Sequence, residues 1–230
     1  MVGIIGAMEV EVAKLKEMLT DTDTLEKAGM TFLSGKLNGK DVVVVRSGIG
    51  KVNAGICTQI LVDAYNVDYI INTGVAGSLN NDINIGDIVL SSDTLQHDMD
   101  ATGFGYEIGV IPQMKQSVFE ADKRLIDIAK KCFEDKITDV NVFVGRIVSG
   151  DQFISDKDKK NWLVENFKGY CTEMEGAAIA QAAYLNGVPF IVIRAISDKA
   201  DDSATEDYPT FEAKAAAHCV KLLEEMIKEI

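Results

Sequence analysis

Proline is scarce, at 3 of 230 residues, and no stretch is low in complexity, which excludes long disordered or linker segments. Histidine is nearly absent. His97 and His218 stand without a motif around either, which leaves no Ser-His-Asp or Cys-His arrangement. Cys57, Cys132, Cys171 and Cys219 lie far apart, with no CxxC and no histidine at ligand spacing. Buried free thiols in a reducing compartment fit that pattern better than disulfides or zinc. Basic residues are outnumbered, 23 Lys and Arg against 36 Asp and Glu, for a net charge of −13. That sign opposes phosphate backbones and anionic lipid surfaces, so neither nucleic acid nor a membrane is expected as a partner. No apolar run approaches the roughly 20 residues of a membrane helix. The N-terminus has no basic region and enters a strand directly, so no signal peptide is expected. The expected location is the cytoplasm.

What is present is a chain 47% hydrophobic and 26% charged, without linker or internal repeat. It reads as a single α/β domain over residues 1–230. The most informative stretch runs from Cys171 to Asp198. Glu173-Met174-Glu175 closes a short extended segment and leads into an alanine-rich helix, Gly176 to Asn186, apolar on nearly every face as a buried helix is. Gly187 and Pro189 stop it. The β-branched run Phe190 to Ile193 then reads as a strand covered on both faces, ending in Arg194, Ala195, Ile196, Ser197 and Asp198. Ligands in open α/β sheets sit beyond the carboxyl ends of strands, and here those ends carry Glu175 and Asp198.

The rest of the chain supplies further strand ends. Val2 to Ile5 is a strand, turned by Gly6-Ala7-Met8 into a helix from about Glu9 to Leu19, where Glu11 shares a stripe with Leu15 and Met18. A helix-start glutamate ordinarily points at water; its place at the edge of the first strand keeps a functional role open. Thr31–Leu37 and Asp41–Arg46 are strands joined by an Asn38-Gly39 hairpin. Ser47-Gly48-Ile49-Gly50 leads into a helix, Lys51 to Tyr65, as an anion site or merely a tight turn. Tyr69 to Asn72 is a strand closing in Thr73-Gly74-Val75-Ala76-Gly77, flexible backbone suited to close approach of a ligand. Asp87–Ser91 and Val140–Val148 are strands, Glu120–Phe133 an amphipathic helix and Asp156–Glu165 a short polar one. His97, Asp98 and Asp100 lack a partner at ligand spacing, so a polar loop is favoured over a metal site. Phe104 and Tyr106 in that glycine loop suit a pocket or a subunit interface. Asp201 to Asp207 reads as a solvated acidic loop before a last helix from about Thr210 to Ile230.

Paired carboxylates in apolar surroundings can divide their roles, one ionised and one held protonated by desolvation. Asp198, behind Ile191-Val192-Ile193 and Ile196, suits an acid working near neutral pH. Its bland alternatives are a helix cap or a partner of Arg194. Glu173 and Glu175 share a face if the segment stays extended, and such a pair needs hydroxyls or a cation such as Arg194 to receive it.

Seven motifs occur in order: GIIGAMEVEV (3–12), SGIGKVNA (47–54), NTGVAGSL (72–79), HDMDATGFGYEIG (97–109), SGDQFI (149–154), EMEGAAIA (173–180) and VIRAISDKAD (192–201). Together they resemble the 5′-methylthioadenosine/S-adenosylhomocysteine nucleosidases of the nucleoside phosphorylase superfamily, over essentially the whole chain. The resemblance implies a three-layer α/β/α sandwich around a mixed, partly barrel-like sheet, a homodimer, and hydrolysis of the N-glycosidic bond. Adenine and a 5-thioribose would be released, as in methionine salvage, and 5′-deoxyadenosine is a further substrate in view. No metal or organic cofactor is implied. The family's acid at purine N7 falls on Asp198, with Ser197 and Arg194 as supports; its water-activating glutamate falls on Glu11. The glutamate holding the ribose hydroxyls falls on Glu175, beside Met174. Phe153 maps to adenine stacking and Ile154 to backbone reading of the base edge. Met8, Ile49 and Tyr208 map to the sugar and thioalkyl side, and Phe104 and Pro112 to residues lent by the neighbouring subunit.

One position departs from the family pattern: Val75 stands where a serine is usual. Related phosphorylases use that serine, with arginines, to hold phosphate. Here Asn72 stands at one matching place and an incoming anion would face Glu11, so water is the better nucleophile. An aminodeoxyfutalosine nucleosidase would use the same three carboxylates, a phosphorylase lacks its ligands here, and a non-catalytic adenosine-binding protein has no need of Glu11 and Asp198.

Overall fold

The computed structural model describes residues 1–137 and 140–230. Its strands are β1 (Val2–Gly6), β2 (Thr20–Lys27), β3 (Met30–Leu37), β4 (Lys40–Arg46), β5 (Tyr69–Ser78), β6 (Ile88–Gln96), β7 (Phe119–Glu120), β8 (Val142–Ser149), β9 (Cys171–Glu173) and β10 (Phe190–Asp198). The helices are α1 (Glu9–Glu17), α2 (Lys51–Tyr65), α3 (Lys123–Lys136), α4 (Lys157–Phe167), α5 (Gly176–Asn186) and α6 (Ala204–Glu229). All the strands join one mixed sheet. β5, β9, β8, β6 and β10 close on themselves, because β10 pairs with both β6 and β5. From β5 the sheet runs out through β1, β4 and β3 to β2. The expected partly barrel-like sheet is this closed ring with its open wing.

Alternation along the strands makes two cores. Ile4, Val42 and Val44 point to one face, with Val12 and Leu15 of α1, Leu125 of α3 and Leu222 of α6. Ile5, Val43 and Val45 point to the other, with Leu61 of α2 and Ile179 of α5. Helices on both faces of one sheet make the three-layer α/β/α sandwich. No helix among the described residues is long and apolar enough to cross a membrane.

One strand is new and two expectations change. Thr20–Lys27 forms an edge strand that the sequence hides, since TDTDTLEK is exposed almost throughout and has no apolar alternation; charge on such an edge deters further pairing. β5 does not end at Asn72 but carries the glycine run on as strand to Ser78. The acidic loop is shorter than read: α6 begins at Ala204 and keeps Pro209 inside it. Acidic side chains at a helix start are favoured by its dipole. Asn38 and Gly39 both adopt positive φ, 51° and 80°, as the tight hairpin requires.

Candidate active site

β1, β5 and β10 run parallel and adjacent, so their carboxyl ends open on one side. A cavity of about 320 Å³ lies there. Glu11, in the first turn of α1, points back into it and is buried. One carboxylate oxygen accepts from the backbone N–H of Ala7 (2.7 Å) and Met8 (2.9 Å), the other from Val75 N–H (3.1 Å). Burial raises the pKa of Glu11, with Arg194 and these N–H groups opposing it. The approach is possible because residue 74 is glycine: a Cβ there would stand 2.4 Å from Glu11 Oε1.

Asp198 is seated the same way three residues along β5. A Cβ on Gly77 would lie 2.7 Å from Asp198 Oδ1. The pairing of β10 with β5 slips between Ile196 and Asp198, leaving Ser197 as an extra residue; such a bulge re-aims the side chain that follows. Ser197 Oγ donates to Asp198 Oδ2 (2.8 Å) and Ala200 N–H to Oδ1 (2.8 Å). Burial raises the Asp198 pKa against these two donors, and the charges of Asp207 and Asp201 add to the rise. The acid reading of Asp198 fits this; the helix-cap alternative does not, since α6 starts beyond it. Arg194 turns elsewhere.

Glu173 and Glu175 do not share a face in an extended segment. β9 ends at Glu173, and Glu175 is already the cap of α5, at φ −134° and ψ −38°. Glu173 is enclosed by donors: Ser149 Oγ, Arg194 Nη2, and the N–H groups of Glu175 (3.0 Å) and Gly176 (2.7 Å). Burial works to raise its pKa, but Arg194, Ser149 and the backbone outweigh it and hold Glu173 below the usual range. Arg194, 2% exposed, gives its other hydrogen bonds to Asn72 Oδ1 and Ile193 O. It braces Glu173 from behind the cavity rather than supporting Asp198. Glu175 accepts one bond, from Gly50 N–H (2.8 Å). Burial and the charge of Glu173 push it up to about 8.

The N–H groups of the glycine turn before α2 are therefore taken by the chain's own carboxyl groups. Gly50 N–H goes to Glu175 and Lys51 N–H to Asp151 (2.8 Å), with Gly48 and Gly50 at φ 83° and 98°.

Around the carboxylates, Met8, Ile49 and Tyr208 line one side of the cavity, and Val75, Ala76 and Gly77 the β5 wall. Phe153, Met174 and Ser197 complete the places expected from the sequence. The Phe153 and Tyr208 rings meet edge-on, 5.6 Å apart, and Tyr208 Oη donates to Met8 Sδ (3.2 Å). Ile154 borders a narrow annex of the cavity instead. Phe104, 87% exposed, and Pro112 do not line this chain's cavity. Ala7 and Thr172 also line it. The sequence held no sign of either beyond their place beside Met8 and Glu173. Val75 serves Glu11 through its backbone N–H, which a side-chain change leaves intact.

Among the described residues no cluster of His, Cys, Asp and Glu could hold a metal. Asp98 receives Lys51 Nζ (2.6 Å) and Asp151 N–H (2.9 Å), and Asp100 receives Thr102. His97 is buried, and desolvation lowers its pKa to about 4, so it stays neutral at pH 7.

The family model described as the Phosphorylase superfamily matches residues 1–228. A curated relative from Shewanella loihica, named 5′-methylthioadenosine/S-adenosylhomocysteine nucleosidase, is 44% identical over 100% of this chain and 99% of its own. The solved nucleosidase of that name from Colwellia psychrerythraea, in complex with adenine, shares 43% identity over 99% of this chain and 94% of that one, with a TM-score of 0.95. The futalosine hydrolase of Helicobacter pylori shares 34% identity over 100% and 97% of the two chains, at a TM-score of 0.94. A cavity walled by buried carboxylates at the ends of β1, β5 and β10, on a sheet shared with these proteins, thus places the chain in the phosphorylase superfamily, among its 5′-methylthioadenosine/S-adenosylhomocysteine nucleosidases.

Proposed function

We propose that this chain hydrolyses the N-glycosidic bond of 5′-methylthioadenosine and S-adenosylhomocysteine, releasing adenine and the 5-thio-substituted ribose. The observation that carries this reading is that three buried carboxyl groups, Glu11, Glu175 and Asp198, face one cavity and, among the described residues, none of them is bonded by a cation. Asp198, its pKa raised by burial, is the group placed to give a proton to purine N7. The C1′–N9 bond breaks, its electron pair goes to the base, and positive charge develops on the sugar. Glu175 accepts hydrogen bonds from the ribose hydroxyls. Because its ionised form is disfavoured before reaction, a cationic sugar beside it strengthens the contact only as the bond breaks. Glu11, held by three N–H groups, takes a proton from the water that attacks C1′. Phe153 stacks on the base, Ile154 reads its edge through the backbone, and Met8, Ile49 and Tyr208 cover the thioalkyl arm. No cofactor is required by these steps.

Water is favoured over phosphate because the N-terminal N–H groups of α2 are already taken by Glu175 and Asp151, and an anion at C1′ would meet Glu11. The futalosine reading is second: the same carboxylates would serve it, but the curated relatives at up to 44% identity carry the other name.

The reading includes one catalytic domain over residues 1–230, acting in the cytoplasm as a homodimer. Four buried free cysteines suit a reducing compartment. Val52 and Ile56 stand exposed one turn apart on α2, with exposed Ile49 just before that helix. A second copy seated on that stripe would cover it, and the family resemblance assigns that copy's Phe104 and Pro112 to the cavity.

The test is a product assay with 5′-methylthioadenosine, with and without phosphate. Free adenine and methylthioribose, formed at a rate indifferent to phosphate, is the expected result. A sugar 1-phosphate formed only with phosphate would overturn the hydrolase.

A further inference from the structure

Lys160, on α4, is 6% exposed, a depth at which a lysine needs acceptors for its charge. Its Nζ donates to Lys199 O at 2.6 Å and lies 3.4 Å from Asp201 Oδ2. The carbonyl is the closer partner, and Asp201 already accepts from Ser203 N–H (3.1 Å) and Oγ (2.9 Å). Lys199 O belongs to the same peptide as Ala200 N–H, the group that donates to Asp198 Oδ1. A trans peptide is planar and its C=O and N–H point opposite ways, so Lys160 and Asp198 sit at the two ends of one rigid unit. Ala200 is fully buried at φ 51°, a conformation that residues with a side chain seldom adopt. It packs in one apolar cluster with Leu163 of α4, so the helix that carries the ammonium also covers the turn.

We propose that Lys160 is a positioning residue for Asp198: it holds the Lys199–Ala200 peptide from behind, polarises it, and so aims the N–H that orients the acid. The proposal rests on the acid role given to Asp198 above. The other support, Ser197 Oγ, is a single rotatable hydroxyl, which leaves the peptide as the rigid one. A cation bonded to Asp198 would hold it ionised; one peptide away, the cation steadies the carboxyl group without taking the place of its proton. The ionisable groups around Asp198 come from several elements. Asp201 in the turn and Asp207 of α6 raise its pKa. Tyr208 of α6 and Cys171 of β9 feel its charge, and Glu11, Glu173 and Glu175 share the cavity with it. A change confined to Lys160 leaves all of these in place.

The experiment is a pH profile of methylthioadenosine turnover for wild type, Lys160→Met and Asp201→Asn. Methionine keeps the apolar stem and removes the ammonium; asparagine removes the ion pair and leaves the bond to Lys199 O. For Lys160→Met the expected result is a fall of roughly 10- to 100-fold in kcat, as a displaced catalytic group gives, with KM little moved. Its alkaline limb, where the acid loses its proton, should lie at higher pH, because no cation then favours the ionised form. Asp201→Asn should keep a rate near wild type with its limb at lower pH, since one negative neighbour is gone. A loss carried by KM alone, a limb unmoved in Lys160→Met, or the same loss of rate in Asp201→Asn would overturn the role. If methionine does not yield folded protein, Lys160→Gln, which keeps a neutral donor, is read by the same limb. Asp198→Asn turning over at the wild-type rate would sink the acid reading itself, whereas Lys160→Met matching wild type would overturn the positioning role alone.

Discussion

The cavity has two walls that treat a buried carboxylate in opposite ways. On the β5 wall, Glu11 and Asp198 are held, among the described residues, by backbone N–H groups and one serine hydroxyl, and burial raises both pKa values. At the β9–α5 corner Glu173 is as deeply buried but bonds Arg194 as well, and is held low. Neutral donors fix a carboxylate in place while leaving its proton free to come and go. A bonded cation locks it ionised. On the proposed reading the first wall transfers protons and the second braces, although both are read from the same residue types in the sequence.

The largest effect expected from breaking this contrast is on rate. Asp198→Asn and Glu11→Gln should each lower turnover by at least about 100-fold. Calorimetry with adenine should find binding largely intact in Glu11→Gln, because the proposed mechanism gives that residue to the water. Near-wild-type rates in either variant would sink the division of labour.

On the bracing side the loss should be in stability. Arg194→Met leaves Glu173 buried without its cation, at a cost of about 3–5 kcal/mol. A thermal midpoint lower by roughly 6–20 °C follows for a chain of this size. The double variant Arg194→Met with Glu173→Gln should recover part of that, since both charges are then gone. A midpoint unchanged in Arg194→Met would show the brace to be idle.

Glu175 stands between the two walls and sharpens the comparison least strongly. Its pKa is raised from 4.5 in the unfolded chain to about 8 in the fold. Between those values the folded state keeps a proton that the unfolded state has released, so stability falls as pH rises through the window and stays reduced above it. Glu175→Gln removes the penalty while retaining an acceptor for Gly50 N–H. Its midpoint should match wild type near pH 4 and exceed it at pH 8 to 9, the gap widening as pH rises through the window. An advantage that shrinks as pH rises would contradict the sign.

Much of this was legible in the sequence, for identifiable reasons. The β-branched run before Arg194 and the alanine-rich helix from Gly176 announce buried elements through composition, so Asp198 and Glu175 could be placed at strand and helix ends. Glu11 could not be settled that way. Its stripe on α1 is compatible with solvent, and what buries it is the missing side chain at residue 74, on a strand more than sixty positions away. The split between Glu173 and Glu175 was hidden too, because it depends on where β9 stops and the chain turns into α5. β2 was hidden by its polarity, being held by pairing with β3 and not by burial. Arg194 was legible as a cation near carboxylates, but its choice of Glu173 over Asp198 is a matter of which way one side chain leaves β10.

The two bare positions on β5, Gly74 and Gly77, also set how the gene can vary. Neither residue offers a side chain to the reaction, and yet the first carbon added at either would fall within 2.4 or 2.7 Å of a carboxylate oxygen. In a saturation library selected for nucleosidase activity, both positions should tolerate almost nothing, alanine included, while Val75 and Ala76 between them accept several small apolar residues. Within a single short stretch of strand, the sites least tolerant of change would be the ones that contribute no functional group at all.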